Sequence, residues 1–292
     1  MTSGSNDYAT FRRVLRRCAP QIARPLPWIG HDDPWAILVS EVMLQQTQTS
    51  RVVGPWTRFV EAFPTPRSCA DATLASVLRL WGGLGYHRRA KALHGAALII
   101  RDEFDGAVPR NVDELRRLPG VGEYTANAVA SFAFDQPVAV LDTNVGRVLA
   151  RAVANRQLSN VEARSIAQEL LPRDRRPAFN QALLDLGAQF CTSKPRCDVC
   201  PLAVTCRWHH DGGIDPAPHS AAVSRPQPTF AGSDRQVRGQ VLAALRLRAR
   251  SMTQLIASLD GVSAQRGASI VDDLVADGLV EHSRGRVRLT GD

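Results

Sequence analysis

No stretch of the 292-residue chain approaches the roughly eighteen consecutive apolar residues that a membrane-spanning helix needs. The opening MTSGSNDYATFRRVLRRC lacks the apolar leader of a secreted protein, so a cytoplasmic location is expected, nucleoid-associated if the source is bacterial. Lysine is nearly missing: Lys91 and Lys194 are the only two, and the excess of 36 basic over 28 acidic residues is carried by arginine. A formal charge of +8 suggests a polyanionic partner, because neutralising phosphates releases counterions; a basic surface with no ligand is the bland alternative. Strand patterns are lacking too, since no convincing alternation of apolar and polar residues occurs before residue 275. A disulfide framework is not expected in a reducing compartment. Of the six cysteines, Cys18 and Cys69 stand alone and read as small core residues. Cys191, Cys197, Cys200 and Cys206 fall within sixteen residues and read as a shared metal centre.

What is present is helical. After a basic lead-in over 8–24, apolar residues recur at helical spacing in Trp35, Leu38, Val39, Val42 and Met43. They do so again in Leu74, Val77, Leu78 and Trp81, and in Leu93, Ala97 and Ile100. Phe63-Pro64-Thr65-Pro66 and Gly82-Gly83-Leu84-Gly85 punctuate these runs. Residues 1–210 are therefore expected to form an all-α core. Residues 211–233, rich in Pro, Gly, Ala and Ser, have linker composition. Residues 234–292 read as three helices followed by two alternating runs around Ser283-Arg284-Gly285, a small winged-helix-like α/β unit.

Three segments carry chemistry. Leu118-Pro119-Gly120-Val121-Gly122-Glu123-Tyr124-Thr125-Ala126 ends one helix and opens another near Glu123. Gly120 and Gly122 let backbone N–H groups approach a phosphate, and the new helix adds its positive end. Ala139-Val140-Leu141-Asp142-Thr143-Asn144-Val145 sets an aspartate and an asparagine inside an apolar stretch, ahead of a helix expected to start around Val145. Taken alone, Asp142 reads as a helix cap. Ser40-Glu41-Val42-Met43-Leu44-Gln45-Gln46-Thr47-Gln48 puts a carboxyl among apolar neighbours, where desolvation favours the protonated form useful to an acid catalyst.

Together these strings resemble the helix-hairpin-helix glycosylases of the endonuclease III superfamily, and within it the adenine glycosylase (MutY) family. Leu26-Pro27-Trp28, Trp81, Gly83-Leu84-Gly85-Tyr86 and Arg88-Arg89-Ala90 extend the match over residues 20–210. The resemblance implies a two-lobed helix-hairpin-helix core that grips the DNA backbone without reading sequence. It gives Glu41 the role of protonating the leaving adenine, and Asp142 that of the essential carboxylate after the hairpin. Gln45, Gln46 and Thr47 would fill the space opened in the duplex, and Tyr86 would wedge beside the damaged guanine. Arg24, Trp28, Leu44 and Asp185 would line the adenine pocket, while Tyr124 and Asn144 would position the reacting groups. Bifunctional members carry a lysine at the place of Tyr124; tyrosine cannot form the Schiff base that leads to strand cleavage, so base removal should stop at the abasic site.

The cysteine spacing C-x5-C-x2-C-x5-C has a first gap one residue shorter than the family's usual pattern. Four thiolates can hold zinc or a [4Fe–4S] cluster. With the surrounding K-P-R-C-D-V-C-P-L, the resemblance implies the cluster, ordering a basic loop of Lys194, Arg196 and Arg207 against DNA. The implied substrate is double-stranded DNA with adenine opposite 8-oxoguanine or guanine, bound by a monomer. Many members add a Nudix-like domain that inspects the damaged guanine; its β-rich pattern is absent from 234–292. Two rival readings are a thymine or uracil mismatch glycosylase, since some relatives also have tyrosine at the place of Tyr124, and a DNA-binding protein without catalysis.

Overall fold

Short polar residues placed just ahead of apolar runs divide the chain into helices. Asp33, Thr65, Thr73, Asn111, Asp142, Ser159, Ser233, Ser251 and Ser263 each accept a bond from a backbone N–H of the helix that follows. Such caps satisfy donors that a helix start leaves bare, at about 1 kcal/mol each. In the computed structural model, which describes residues 3–223 and 229–292, the helices run in chain order as α1 (Ser3–Ile22), α2 (Pro34–Leu44), α3 (Thr49–Ala62), α4 (Pro66–Ala70) and α5 (Leu74–Trp81). Then come α6 (Arg88–Glu103), α7 (Val112–Leu115), α8 (Glu123–Phe134), α9 (Thr143–Val148), α10 (Asn160–Leu170), α11 (Arg176–Gln189) and α12 (Arg207–Asp211). The C-terminal region holds α13 (Asp234–Leu247), α14 (Met252–Ala257), α15 (Ala264–Ala276), β1 (Val280–Ser283) and β2 (Arg286–Leu289).

These elements form two compact units, Met1–Asp32 with Glu123–Pro226, and Asp33–Gly122 with Gln227–Asp292. In the first, α11 lies against both α1 and α9 around a core that includes Leu15, Val145, Leu149, Phe179, Leu183 and Leu186. The approach of α11 to α9 is so close that a Cβ on Gly187 would lie 2.5 Å from the Asn144 carbonyl oxygen. Linker composition misleads over part of 211–233. Asp215 takes both Nε and Nη2 of the buried Arg151, at 2.8 and 2.6 Å, Ala217 and Ser220 are buried, and Ala221 N–H donates to the Leu158 carbonyl. An arginine that would otherwise be buried without a counter-charge thus ties this segment down. Residues 224–228 of the expected linker lie outside the described residues.

In the second unit α2 is buried all round from Trp35 to Met43, as befits a helix with almost no polar face. It packs against α3 and α6, and the indoles of Trp35 and Trp56 donate to the carbonyls of Phe63 and Ala36. The C-terminal hairpin pairs Val280 with Leu289 and Ser283 with Arg286. Arg284 and Gly285 both take positive φ, 50° and 73°, the two-residue turn whose twist suits a hairpin. Val280, Val287 and Leu289 point inward, while Glu281 and Arg288 pair across the outer face at 2.7 Å. The hairpin and α13 rest on α5. Asp277 holds Arg88 and Arg238, its carbonyl takes Lys91 Nζ at 2.6 Å, Arg79 meets Asp292 at 2.5 Å, and Arg246 donates to the Gly82 carbonyl at 2.6 Å. The sequence prediction of helices up to residue 275 and a single terminal hairpin is met.

Candidate active site

The second unit gathers one group of the expected site residues at the C-terminal end of α2. Glu41 lies on that buried helix and is only 5% exposed, despite being a carboxylate. Leu44 ends α2, and Gln45, Gln46 and Thr47 turn the chain away, with Gln46 at a positive φ of 53°. Sequence reasoning named Arg89 only as part of a matching string, yet it organises this end. Its Nη1 donates to the carbonyls of Val42 and Met43, both at 2.9 Å, and to that of Gln45 at 2.5 Å, while Nη2 reaches Thr47 Oγ1 at 2.9 Å. The guanidinium lies 5.3 Å from the ring centroids of both Trp81 and Tyr86, and burial lowers its pKa to about 10. A cation placed on the last carbonyls of a helix complements the dipole there.

Gln45 also ties α2 to the glycine turn that follows α7, donating from Nε2 to the Gly120 carbonyl at 3.0 Å. Gly120 has φ +78°, and a Cβ on it would lie 2.8 Å from that of Ala92, so only glycine fits. Among the described residues nothing lies within 4 Å of the position a Cβ on Gly122 would take.

The first unit holds the other group. Asp142 caps α9, which starts at Thr143 rather than around Val145, because the aspartate side chain closes the first turn earlier than the apolar pattern alone indicates. One carboxylate oxygen accepts Val145 N–H at 2.8 Å and the other Asn144 Nδ2 at 2.6 Å. Burial raises the Asp142 pKa above the usual carboxylate range, against the opposing pull of these donors and of Arg147. The chain of contacts continues: Arg147 Nη2 donates to Asn144 Oδ1 at 2.6 Å, and Arg147 Nε to the Cys191 carbonyl at 2.6 Å. Tyr124 stands in the first turn of α8, half-buried against the first unit's core. Arg24 and Asp185 form a 2.6 Å ion pair that Gln181 extends, and Trp28 is 8% exposed on the segment following Arg24. Glu41, Leu44, Gln45, Gln46, Thr47, Tyr86, Gly120 and Gly122 thus belong to one unit, and Arg24, Trp28, Tyr124, Asp142, Asn144, Asp185 and the cysteines to the other.

Cys191, Cys197, Cys200 and Cys206 line one cavity with Phe190, Leu202 and Trp208. Burial pushes the thiols of Cys191 and Cys206 up and that of Cys200 to about 11, and neighbouring cysteines push each further. Arg151 donates to Cys191 Sγ at 3.4 Å. Thiols that raise one another's pKa across a shared cavity are a donor set suited to a cation that takes them as thiolates. The four thiols are spread around that cavity: among the described residues, no three or more His, Cys, Asp or Glu side chains converge on the place of a single metal ion. Lys194 and Arg196 beside the cysteines are exposed. Arg147 and Arg151 were not foreseen, since their partners lie some forty residues away.

Residues 39–173 match the model of the HhH-GPD superfamily base excision DNA repair proteins. The adenine DNA glycosylase of Mycolicibacterium smegmatis is 47% identical over 279 residues, covering 92% of each chain. Among solved structures, a thermostable thymine-DNA glycosylase superposes with a TM-score of 0.65 at 26% identity, over 70% of this chain and 98% of that one. A non-covalent endonuclease III–DNA complex gives 0.59 at 27% identity, over 68% and 97%.

Proposed function

The chain belongs to the adenine DNA glycosylases of the HhH-GPD base excision repair superfamily, and from that premise we propose that it hydrolyses the N-glycosidic bond of adenine mispaired with 8-oxoguanine or guanine and then stops. The observation that carries the reading is Glu41, a carboxyl kept 5% exposed on an apolar helix where a structural role would call for a hydrocarbon. An adenine inside the duplex is out of reach, so it must be flipped out, at a cost of a few kcal/mol. Glu41 donates its proton to the purine ring, and the bond to the sugar breaks as the base leaves with both bonding electrons. Asp142 would face the oxocarbenium-like sugar, its charge supported by Val145 N–H, Asn144 Nδ2 and Arg147 against the desolvation that raises its pKa, and water completes the hydrolysis. Glu41 belongs to the second unit and Asp142 to the first. Asn144, bonded to Asp142, fixes which way that carboxylate points. Arg24, Trp28, Leu44 and Asp185 would enclose the adenine, and Gln45, Gln46, Thr47 and Tyr86 would occupy the duplex. Gly120 and Gly122 would offer backbone N–H groups to a phosphate.

Tyr124 has no amine, so no covalent sugar adduct forms and strand cleavage does not follow. Cys191, Cys197, Cys200 and Cys206 fit a [4Fe–4S] cluster, which when bound would order the loop carrying Lys194, Arg196 and Arg207 as a DNA-facing surface. The protein would act as a cytoplasmic monomer; among the described residues no helix is long and apolar enough to cross a membrane. Single-turnover base release from an A·8-oxoguanine duplex, worked up with and without alkali, tests the reading. Adenine release with strand breaks only after alkali is expected. Release of thymine or uracil from T·G or U·G duplexes instead would move the chain to the rival branch, and release of nothing would leave only DNA binding.

A further inference from the structure

The helix that Asp142 caps, α9, is six residues long, too short for its own hydrogen bonds to hold it in place. It runs on into a π-helical turn over Leu149–Ala154, a rare form. Packing must therefore fix it, and the packing comes from two sides. Asn144 and Gly146, two positions apart, point to opposite sides of a helix. On the Asn144 side lies α11, whose Gly187 leaves no room for a Cβ. On the Gly146 side lies the segment 215–223. A Cβ on Gly146 would sit 2.9 Å from the Ala221 carbonyl oxygen, 3.2 Å from Ala222 Cβ and 3.4 Å from Val223 Cγ2. Glycine weakens a helix relative to alanine, so this one is explained by the room it leaves for residues 221–223.

That segment is tied down along its length. Asp215 holds two nitrogens of Arg151, which belongs to the π-helical turn. Ser220 Oγ accepts Leu158 N–H at 3.1 Å and donates to the Pro216 carbonyl at 2.7 Å. Ala221 N–H donates to the Leu158 carbonyl at 2.8 Å. Ala222 then takes a positive φ of 63°, a conformation that non-glycine residues adopt at a cost. Its carbonyl accepts a bond from Thr143 Oγ1 at 2.9 Å. Thr143 is the first residue of α9 and the chain neighbour of Asp142. The contacts thus close a ring, from α9 through Arg151 to Asp215, along the segment, and back to α9 at Thr143 and Gly146.

We propose that residues 215–223 form a strap that positions Asp142 for the reaction, acting through Thr143 and Gly146 as positioning residues. The proposal rests on the role given to Asp142 above. Both oxygens of that carboxylate are bonded within the first turn of α9, one to Val145 N–H and one to Asn144 Nδ2. A shift of the turn therefore carries the carboxylate with it. Thr143 pins the turn to the strap, and Gly146 lets the strap come close enough to be pinned. The strap serves the chemical step rather than the affinity for DNA.

The test uses the full chain and measures two quantities, single-turnover adenine release at saturating protein and affinity for the duplex. For affinity, the target adenosine carries 2′-fluorine, which slows cleavage. Thr143→Val keeps the shape of the side chain and removes the hydroxyl, and Gly146→Ala pushes the strap away. Each is expected to slow release about tenfold or more, the weight of a small misplacement of a reacting group, with affinity unchanged. Thr143→Ser keeps the donor and is expected to recover most of the rate. Ser131→Ala removes the hydroxyl that accepts Asn180 Nδ2 at 2.9 Å in the same unit. It is expected to lower the melting temperature as Thr143→Val does, yet to release adenine at the parent rate. A parent rate in both Thr143→Val and Gly146→Ala overturns the strap while the substrate reading stands. So does a loss of affinity in place of rate, an equal slowing in Ser131→Ala, or no recovery in Thr143→Ser. No adenine release by the unaltered protein overturns both.

Discussion

Replacing Arg89 with methionine isolates the contact that holds the end of α2. Two of its acceptors, the carbonyls of Val42 and Met43, belong to residues with no exposed surface and to the last turn of the helix, where intrahelical donors have run out. Each would lose its donor without gaining water, at about 1–2 kcal/mol apiece. The Gln45 carbonyl and Thr47 hydroxyl lie on a half-exposed turn and regain water at little cost. Losing the stacking between Trp81 and Tyr86 costs about 0.5–2 kcal/mol more, but the penalty of burying a guanidinium is relieved in return. The net loss should be about 2–4 kcal/mol. Urea unfolding followed by the fluorescence of Trp35, Trp56 and Trp81 would read it, because all three sit in this unit. Fraying of the turn that follows Glu41 should slow single-turnover adenine release about tenfold or more. Arg89→Lys should recover part of each loss, since an ammonium keeps the charge but cannot span four acceptors with one planar fork. A methionine variant within about 0.5 kcal/mol of the parent, releasing adenine at the parent rate, would falsify the claim that Arg89 fixes this end.

Other outcomes follow from single contacts. Glu41→Gln should lower the rate of base release by about 10²-fold or more, and a gel-shift with uncleaved duplex should find DNA binding retained. Burial, with Arg246 and Arg238 nearby, lowers the His87 pKa to about 4 from its ordinary 6.5, so the unfolded chain binds the extra proton more readily. Its contribution is therefore complete above pH 6.5 and lost as the pH falls toward 4, at about 1.4 kcal/mol per unit and about 3 kcal/mol in all. A pH series of unfolding curves should show that slope flattened in His87→Gln. Gly187→Ala must push α11 off the Asn144 carbonyl 2.5 Å away, with an expected stability loss of about 1–3 kcal/mol; because Asn144 orients Asp142, the rate should fall with it. Cys197→Ser should lose the visible absorption and iron content expected of the purified protein, and an unchanged spectrum would refute the cysteine assignment.

Most of the helical framework is written locally. A polar cap before an apolar run predicts a helix start, and Arg284-Gly285 between two alternating runs predicts the hairpin, because both depend on neighbours a few residues apart. The candidate site is legible for a different reason: its residues stand in strings too specific to arise from periodicity, as Glu41 does in S-E-V-M-L-Q-Q-T-Q. Asp142 shows the two kinds of information meeting. Read locally it is a cap and read by resemblance it is a reacting group, and its two oxygens leave room for both, one on Val145 N–H and one on Asn144.

Arginine contacts were the illegible part, and their distances along the chain explain why. Arg89 binds carbonyls 44–47 residues earlier, Arg147 a carbonyl 44 residues later, Arg151 a carboxylate 64 residues later, and Arg235 a hydroxyl 149 residues earlier. A carbonyl leaves no mark in a sequence, and a long cationic side chain reads as solvated surface until its partner is placed. With lysine almost absent, the planar fork of arginine does work that a point charge could not. It gathers three carbonyls at the end of α2, takes both oxygens of Asp215, and orients a tyrosine ring from a helix in the C-terminal unit. The basic character read at the outset as a signature of DNA binding is spent in good part inside the protein. Salt should therefore weaken DNA binding less steeply than the count of 36 basic residues suggests. Measuring the slope of log affinity against log salt would give the number of arginines that remain for phosphate.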